Sequence, residues 1–193
     1  MAEPKPLSPC RAWWVRQLHR WDWTFYPAAS AGDATVRVRR QVRPSVTPAI
    51  RRLQRVGTGR WEGRRPLDHT GRMVLANVSG VPVGYAYAVD HLSGSAGCSL
   101  LDDVVVDPSM RNRGIGHTLI AEMAAWLRED GYTTIFGCAT GGDGSAIHGG
   151  LFGWYERMGF EMTSPGGDMR ADVPYLADRT SVFRAGENET HRP

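Results

Sequence analysis

A mixed α/β domain, one central sheet with helices packed against it, is what three features of this 193-residue chain predict. Runs with strand-like alternation come first along the chain. A strand–helix–strand–helix–strand succession follows them. Between the two, "LDDVVVDPSMRNRGIGHTLIAEMAAWLREDG" (residues 101–131) passes from a Val-rich run through a Gly-containing turn into helical period. At 41% apolar and 22% charged residues, the chain can bury one sizeable core. The expected organisation is an arm over 1–33, a folded domain over 34–186 and a disordered tail over 187–193.

The Pro-rich opening "MAEPKPLSP" is expected to lack order. Next, Trp14, Leu18, Trp21 and Phe25 recur at helical spacing with Arg16, His19 and Arg20 on the other side. Such a Trp stripe normally seeks burial, on the domain or on a second copy; a membrane surface or a nucleic acid is the alternative. "ATVRVRRQV" alternates as a strand, and "SVTPAIRRLQRV" reads as a short helix with Pro48 near its start. After the loop over 57–71, "RMVLANV", the turn "SGVP" and "VGYAYAV" form a hairpin. "LLDDVVV" is the next strand, and a helix over 114–130 ends where Gly131 can cap it. "YTTIFGCA" is a strand, "IHGGLFGWYERM" a helix weakened by its glycines, and "GFEM" opens a further strand. "RTSVFRA" is expected to be the last one.

Composition narrows the function classes. No apolar run approaches membrane-span length, and the first thirty residues hold no secretory apolar segment. Cys10, Cys98 and Cys138 make neither a disulfide framework nor a zinc-type spacing, so a reducing, cytoplasmic location and no metal are expected. The net charge of +3 conceals a split: fourteen Lys/Arg against four Asp/Glu up to Arg65, and nine against sixteen after it. The basic third could meet a nucleic acid, but solvated arginines are the preferred reading.

The turn "RNRGIG" carries the chemistry. A strand ends at Asp107-Pro108 and a helix begins near Gly114. The first N–H groups of a helix lack internal partners and lie at its positive end. Glycines let a bulky anion approach them, and Arg111 and Arg113 add charged donors. His117 and Thr118 stand one step inside the helix. The segment is suited to a phosphate or pyrophosphate. A dinucleotide fingerprint fails, because Thr118 and Leu119 stand where its third glycine would come. A P-loop fails because the only lysine is Lys5.

The remaining pattern, R-x-x-G-x-G, is followed at 152–160 by "FGWYERMGF". Together, "VVVDPSMRNRGIG" and "WYERMGF" resemble the GCN5-related N-acetyltransferase (GNAT) superfamily over about residues 35–185. The resemblance implies the GNAT fold, a mixed, mostly antiparallel sheet splayed between strands 4 and 5 and flanked by helices. It also implies acetyl-CoA as cosubstrate. Strand 100–106 would pair with the pantetheine arm through the backbone of Val104, Val105 and Val106. The pyrophosphate would lie on the N–H groups of Arg111, Asn112, Arg113, Gly114, Ile115, Gly116 and His117, with Thr118 alongside. Tyr155 matches the tyrosine that protonates the departing thiolate. A bulge N–H near Val104 would meet the oxyanion. Asp103 is the chosen base or amine-orienting group and Asp102 the reserve, since period two puts them on opposite faces and a bulge would disturb it.

Two positions depart from the family pattern. His148 stands where many members carry Asn, and is a candidate coenzyme contact or proton relay; Leu151 stands in place of Ala. The reading that results is an N-acetyltransferase acting on a primary amine in a ternary complex. The acceptor is expected to be a small molecule. A nucleic-acid or protein amine, or an acyl-CoA-binding module without turnover, are the alternatives. Self-association into a homodimer is left open.

Overall fold

A computed structural model describes residues 36–42, 44–58, 71–90, 96–139 and 150–179. The arm over 1–33, His148 and the tail over 187–193 lie outside them. The elements are β1 (Val36–Val42), α1 (Pro48–Thr58), β2 (Arg72–Val78), β3 (Val81–Asp90), β4 (Cys98–Val106), α2 (Ile115–Glu129), β5 (Thr134–Cys138), α3 (Phe152–Met158), β6 (Glu161–Met162) and β7 (Asp168–Asp172). A further helix, α4, covers 173–179.

Seven strands form one sheet in the order β1-β2-β3-β4-β5-β7-β6. Every neighbouring pair is antiparallel except β4 and β5. That parallel pair joins only Cys98–Leu101 to Thr134–Gly137. Beyond Leu101 the two strands part, as the GNAT resemblance implied.

Two apolar layers sandwich the sheet. On one face, α2 lays Ile115, Leu119, Ile120, Met123, Ala124 and Leu127 against Val74, Ala86, Leu101 and Ile135. Their three- and four-residue spacing is the stripe that predicted the helix. On the other face, Ile50 and Leu53 of α1 pack with Met73, Leu75, Tyr85, Tyr87 and Val105. The helix α2 stops as expected: Gly131 takes φ 82°, and the Gly131 and Tyr132 N–H groups close onto Arg128 O and Leu127 O at 3.0 and 2.9 Å.

Leu101 and Val105 belong to opposite layers although strict alternation would align them. The register explains it: Asp103 pairs with Tyr87 but Leu101 already pairs with Ala88, so Asp102 is an extra residue in β4. The bulge therefore stands at Asp102, two residues before the expected place near Val104.

At the outer edge, Arg40 of β1 reaches across to α2, bonding Glu122 at 2.7 Å and Glu129, with its guanidinium over the Trp126 ring. The C-terminal part differs from the sequence reading. Strand β7, "DMRAD", was not anticipated. Of the strand expected over 179–185, only Arg179 is described, and it closes α4.

Candidate active site in the β4–β5 opening

The strand β4 leads into the loop that carries the glycines. Asp107 anchors that loop through its N–H, given to Val83 O at 2.8 Å. Its carboxylate accepts from the Ser109 N–H at 3.1 Å and hydroxyl at 2.7 Å, capping the short turn Pro108–Met110. Arg52 of α1 pairs with the other oxygen at 3.1 Å. Two left-handed residues then bend the chain into α2, Asn112 at φ 60° and Gly114 at φ 74°. Glycine tolerates that geometry without strain, and Asn is among the few other residues that adopt it.

Gly114 caps α2 with no side-chain hydrogen bond. Thr118 is the first residue to close a helical turn, N–H to Gly114 O at 3.0 Å. The N–H groups of Ile115, Gly116 and His117 thus have no acceptor within the helix and emerge at its positive end. They open on a cleft of about 560 Å³, lined by β4, the loop, the start of α2 and α3. Beyond Leu101, β4 has no strand partner on its β5 side among the described residues.

The cleft brings together Val104, Val106, Arg111, Asn112, Gly114, Ile115, Gly116, His117 and Tyr155. Other expected residues lie elsewhere. Val105 points to the α1 layer and is fully buried. Arg113 turns back to Ser109 O at 3.4 Å, and the Thr118 hydroxyl bonds Gly114 O at 3.3 Å. Neither lines the cleft. The Arg111 Nε–H is given to Val106 O at 3.2 Å, which lays this side chain along the strand end.

Tyr155 is 7% exposed and packs edge-to-face on Trp154 and Phe160, with centroids 4.6 and 5.3 Å away. Burial pushes its hydroxyl pKa well above the ordinary tyrosine value, and the charges of Asp103 and Cys138 push the same way. The hydroxyl is therefore protonated at neutral pH. Asp103 lies on the α1 side of the bulge, 6% exposed, and accepts from the Tyr85 hydroxyl at 2.5 Å. It does not line the cleft, but its charge reaches Tyr155. Cys138 is half-exposed, its Sγ 3.8 Å from Gly166 O.

Trp154 and Arg157 line the cleft and were not singled out from the sequence. A Cβ on Gly116 would stand 3.0 Å from Trp154 Cζ2, and the Trp154 ring meets His117 edge-on at 5.8 Å. The signal was present: Trp154 directly precedes the motif tyrosine, and Arg157 follows Gly153 by one turn. Among the described residues, no group of three His, Cys, Asp or Glu side chains is placed to hold a metal. No helix there is long and apolar enough to cross a membrane.

Comparison with known proteins agrees with this fold. Among curated proteins none matches the sequence. A GNAT-family protein from Desulfovibrio desulfuricans is 22% identical over 72% of this chain and 99% of its own, with a TM-score of 0.54. A GNAT-family N-acetyltransferase from Escherichia coli, solved with CoA, is 17% identical over 79% of this chain and 87% of its own, with a TM-score of 0.53. The N-acetylglutamate synthase of Neisseria gonorrhoeae, solved with coenzyme A and L-arginine, is 16% identical (TM-score 0.54) and matches 74% of this chain but 34% of its own. These likenesses bear on the fold. The family model described as Acetyltransferase (GNAT) family matches residues 15–160. With that match over most of its length, the chain belongs to the GNAT acetyltransferase family.

Proposed function

We propose that this chain transfers the acetyl group of acetyl-CoA to a primary amine by direct attack in a ternary complex. The observation that carries the reading is a single cleft holding both the first-turn amides of α2 and the protonated Tyr155. The residues suit the coenzyme. The N–H groups of Ile115, Gly116 and His117, with Arg111, would hold its diphosphate. The edge of β4 beyond Leu101 would pair with the pantetheine amides like an added strand. The CoA bound in the Escherichia coli relative supports the same ligand here.

Attack of a neutral amine on the thioester carbon produces an oxyanion and then a thiolate. Backbone N–H groups of β4 near Val104 would meet the oxyanion. Tyr155 lines the cleft with its hydroxyl protonated at neutral pH and would give that proton to the sulfur. Asp103 would orient or deprotonate the amine from the α1 face, with its charge favouring a small cationic acceptor.

The test is calorimetry with acetyl-CoA, followed by thiol release over a panel of amines for the wild type and Tyr155→Phe. Release with at least one amine, lost in the variant, supports the reading. Binding without release for any amine would make the chain an acyl-CoA-binding module instead.

A further inference from the structure

Arg157 is the cleft-lining cation that the chemistry above leaves unused. Among the described residues its side chain makes no ion pair and no hydrogen bond. Its position follows from a glycine one turn earlier: a Cβ on Gly153 would stand 3.3 Å from Arg157 Nη1. Helical side chains lean toward the N-terminus, so the guanidinium lies back over the space that Gly153 leaves. Arg179 stands beside it, giving its Nε–H to Arg157 O at 3.0 Å and its Nη1–H to the Tyr175 hydroxyl at 2.7 Å. That contact covers a last-turn carbonyl, which would otherwise repel an anion.

The helix itself orders the site. At about 100° per residue, Tyr155 lies about 100° to one side of Trp154 and Arg157 about 60° to the other. Trp154, in the middle, touches Gly116 and His117 at the start of α2. The cleft therefore runs from Tyr155, past the helix amides, to Arg157. If sulfur sits at Tyr155 and the diphosphate at the amides, Arg157 meets what lies beyond the diphosphate. A carboxylate on the acyl group would fall on the opposite flank. Beyond the diphosphate, coenzyme A carries one more charged group, the ribose 3′-phosphate. As a phosphate monoester it holds a charge of about −1.5 to −2 near neutral pH.

We propose that Arg157 recognises this 3′-phosphate and so selects coenzyme A over its 3′-dephospho form. The inference rests on the coenzyme reading above and deepens it. An exposed guanidinium–phosphate contact gives a preference of about fivefold at low ionic strength, shrinking as salt screens it.

Titration calorimetry of the full chain with coenzyme A and with 3′-dephospho-coenzyme A tests this at two salt concentrations. The wild type is expected to prefer the phosphorylated form. Arg157→Gln should bind both forms alike, at the wild type's affinity for the dephospho form, and Arg157→Lys should keep part of the preference. Equal affinity of the wild type for both forms overturns the inference alone, as does an Arg157→Gln variant that weakens both by the same factor. If neither form binds the wild type, the coenzyme reading falls and this inference with it.

Discussion

Replacing Gly116 with Ala separates stability from ligand binding, because the two effects have opposite signs. In a helix, alanine is favoured over glycine by roughly 0.5–1 kcal/mol, and less near the first turn. The new Cβ would stand 3.0 Å from Trp154 Cζ2 and 3.4 Å from Cη2. Trp154 is half-buried and borders the cleft, so it can give by a few tenths of an ångström toward that space. Yielding costs a fraction of the dispersion contacts, about 0.5 kcal/mol, which roughly cancels the helix gain. Net stability should then move by less than about 1 kcal/mol in either direction. Ligand affinity has no such compensation. The displaced indole narrows the cleft, and the Cβ crowds the approach to the Gly116 N–H. Weakening one charge-assisted hydrogen bond of about 1.5–2 kcal/mol lowers acetyl-CoA affinity by roughly tenfold to thirtyfold. Urea denaturation and acetyl-CoA calorimetry on the same variant read the two effects. An unchanged affinity at unchanged stability would refute the placement of the diphosphate at the α2 amides.

Other outcomes follow from the same geometry. Tyr155→Phe should lower kcat about 100-fold or more while acetyl-CoA affinity changes little, as single-turnover kinetics and calorimetry would show. Because the Tyr155 pKa is raised, no fall in kcat/KM from this group is expected below about pH 10, and a stopped pH–rate profile checks it. Asp107→Ala removes the cap of the short turn and its Arg52 pairing, and should cost about 2 kcal/mol in denaturant melts while weakening coenzyme binding through a loosened loop. Glu129 has its pKa lowered by Arg40, so its contribution is present above the ordinary carboxylate pKa of about 4.5 and lost as pH falls through the folded value. Thermal melts between pH 6 and 3 should therefore show a steeper loss in the wild type than in Arg40→Ala.

Much of this was legible in the sequence because short-range rules govern it. The stripe of α2, its Gly131 stop and the hairpin of β2 and β3 follow from periodicity and turn chemistry within a dozen residues. That Arg111, Asn112 and the residues from Gly114 to His117 share one cleft was legible for the same reason: a strand, a turn and a helix N-terminus are consecutive in the chain. What escaped depends on partners far away. Nothing local marks Asp102 as the bulged residue, since the extra position exists only relative to Tyr87 and Ala88 on β3. Strand β7 shows two apolar residues among three charged ones, and its pairing with β5 alone gives Met169 and Ala171 a core to enter. Arg113 looks equivalent to Arg111 in the motif, yet its side chain turns back to Ser109 O at 3.4 Å. Asp103 was chosen for its charge, but its hydrogen bond from Tyr85 spans two strands and eighteen residues of chain.

The brevity of the β4–β5 junction has a mechanical consequence. Four residue pairs weld a four-stranded slab to a three-stranded one, and the shared apolar layer under α2 keeps them together. A weld that short lets the slabs breathe against each other about the seam. Any molecule that inserts its own amides there becomes an eighth strand and braces the crack. Amide exchange along β4 past Leu101 should slow most when the seam is filled, so the cosubstrate would serve as mortar as well as reagent.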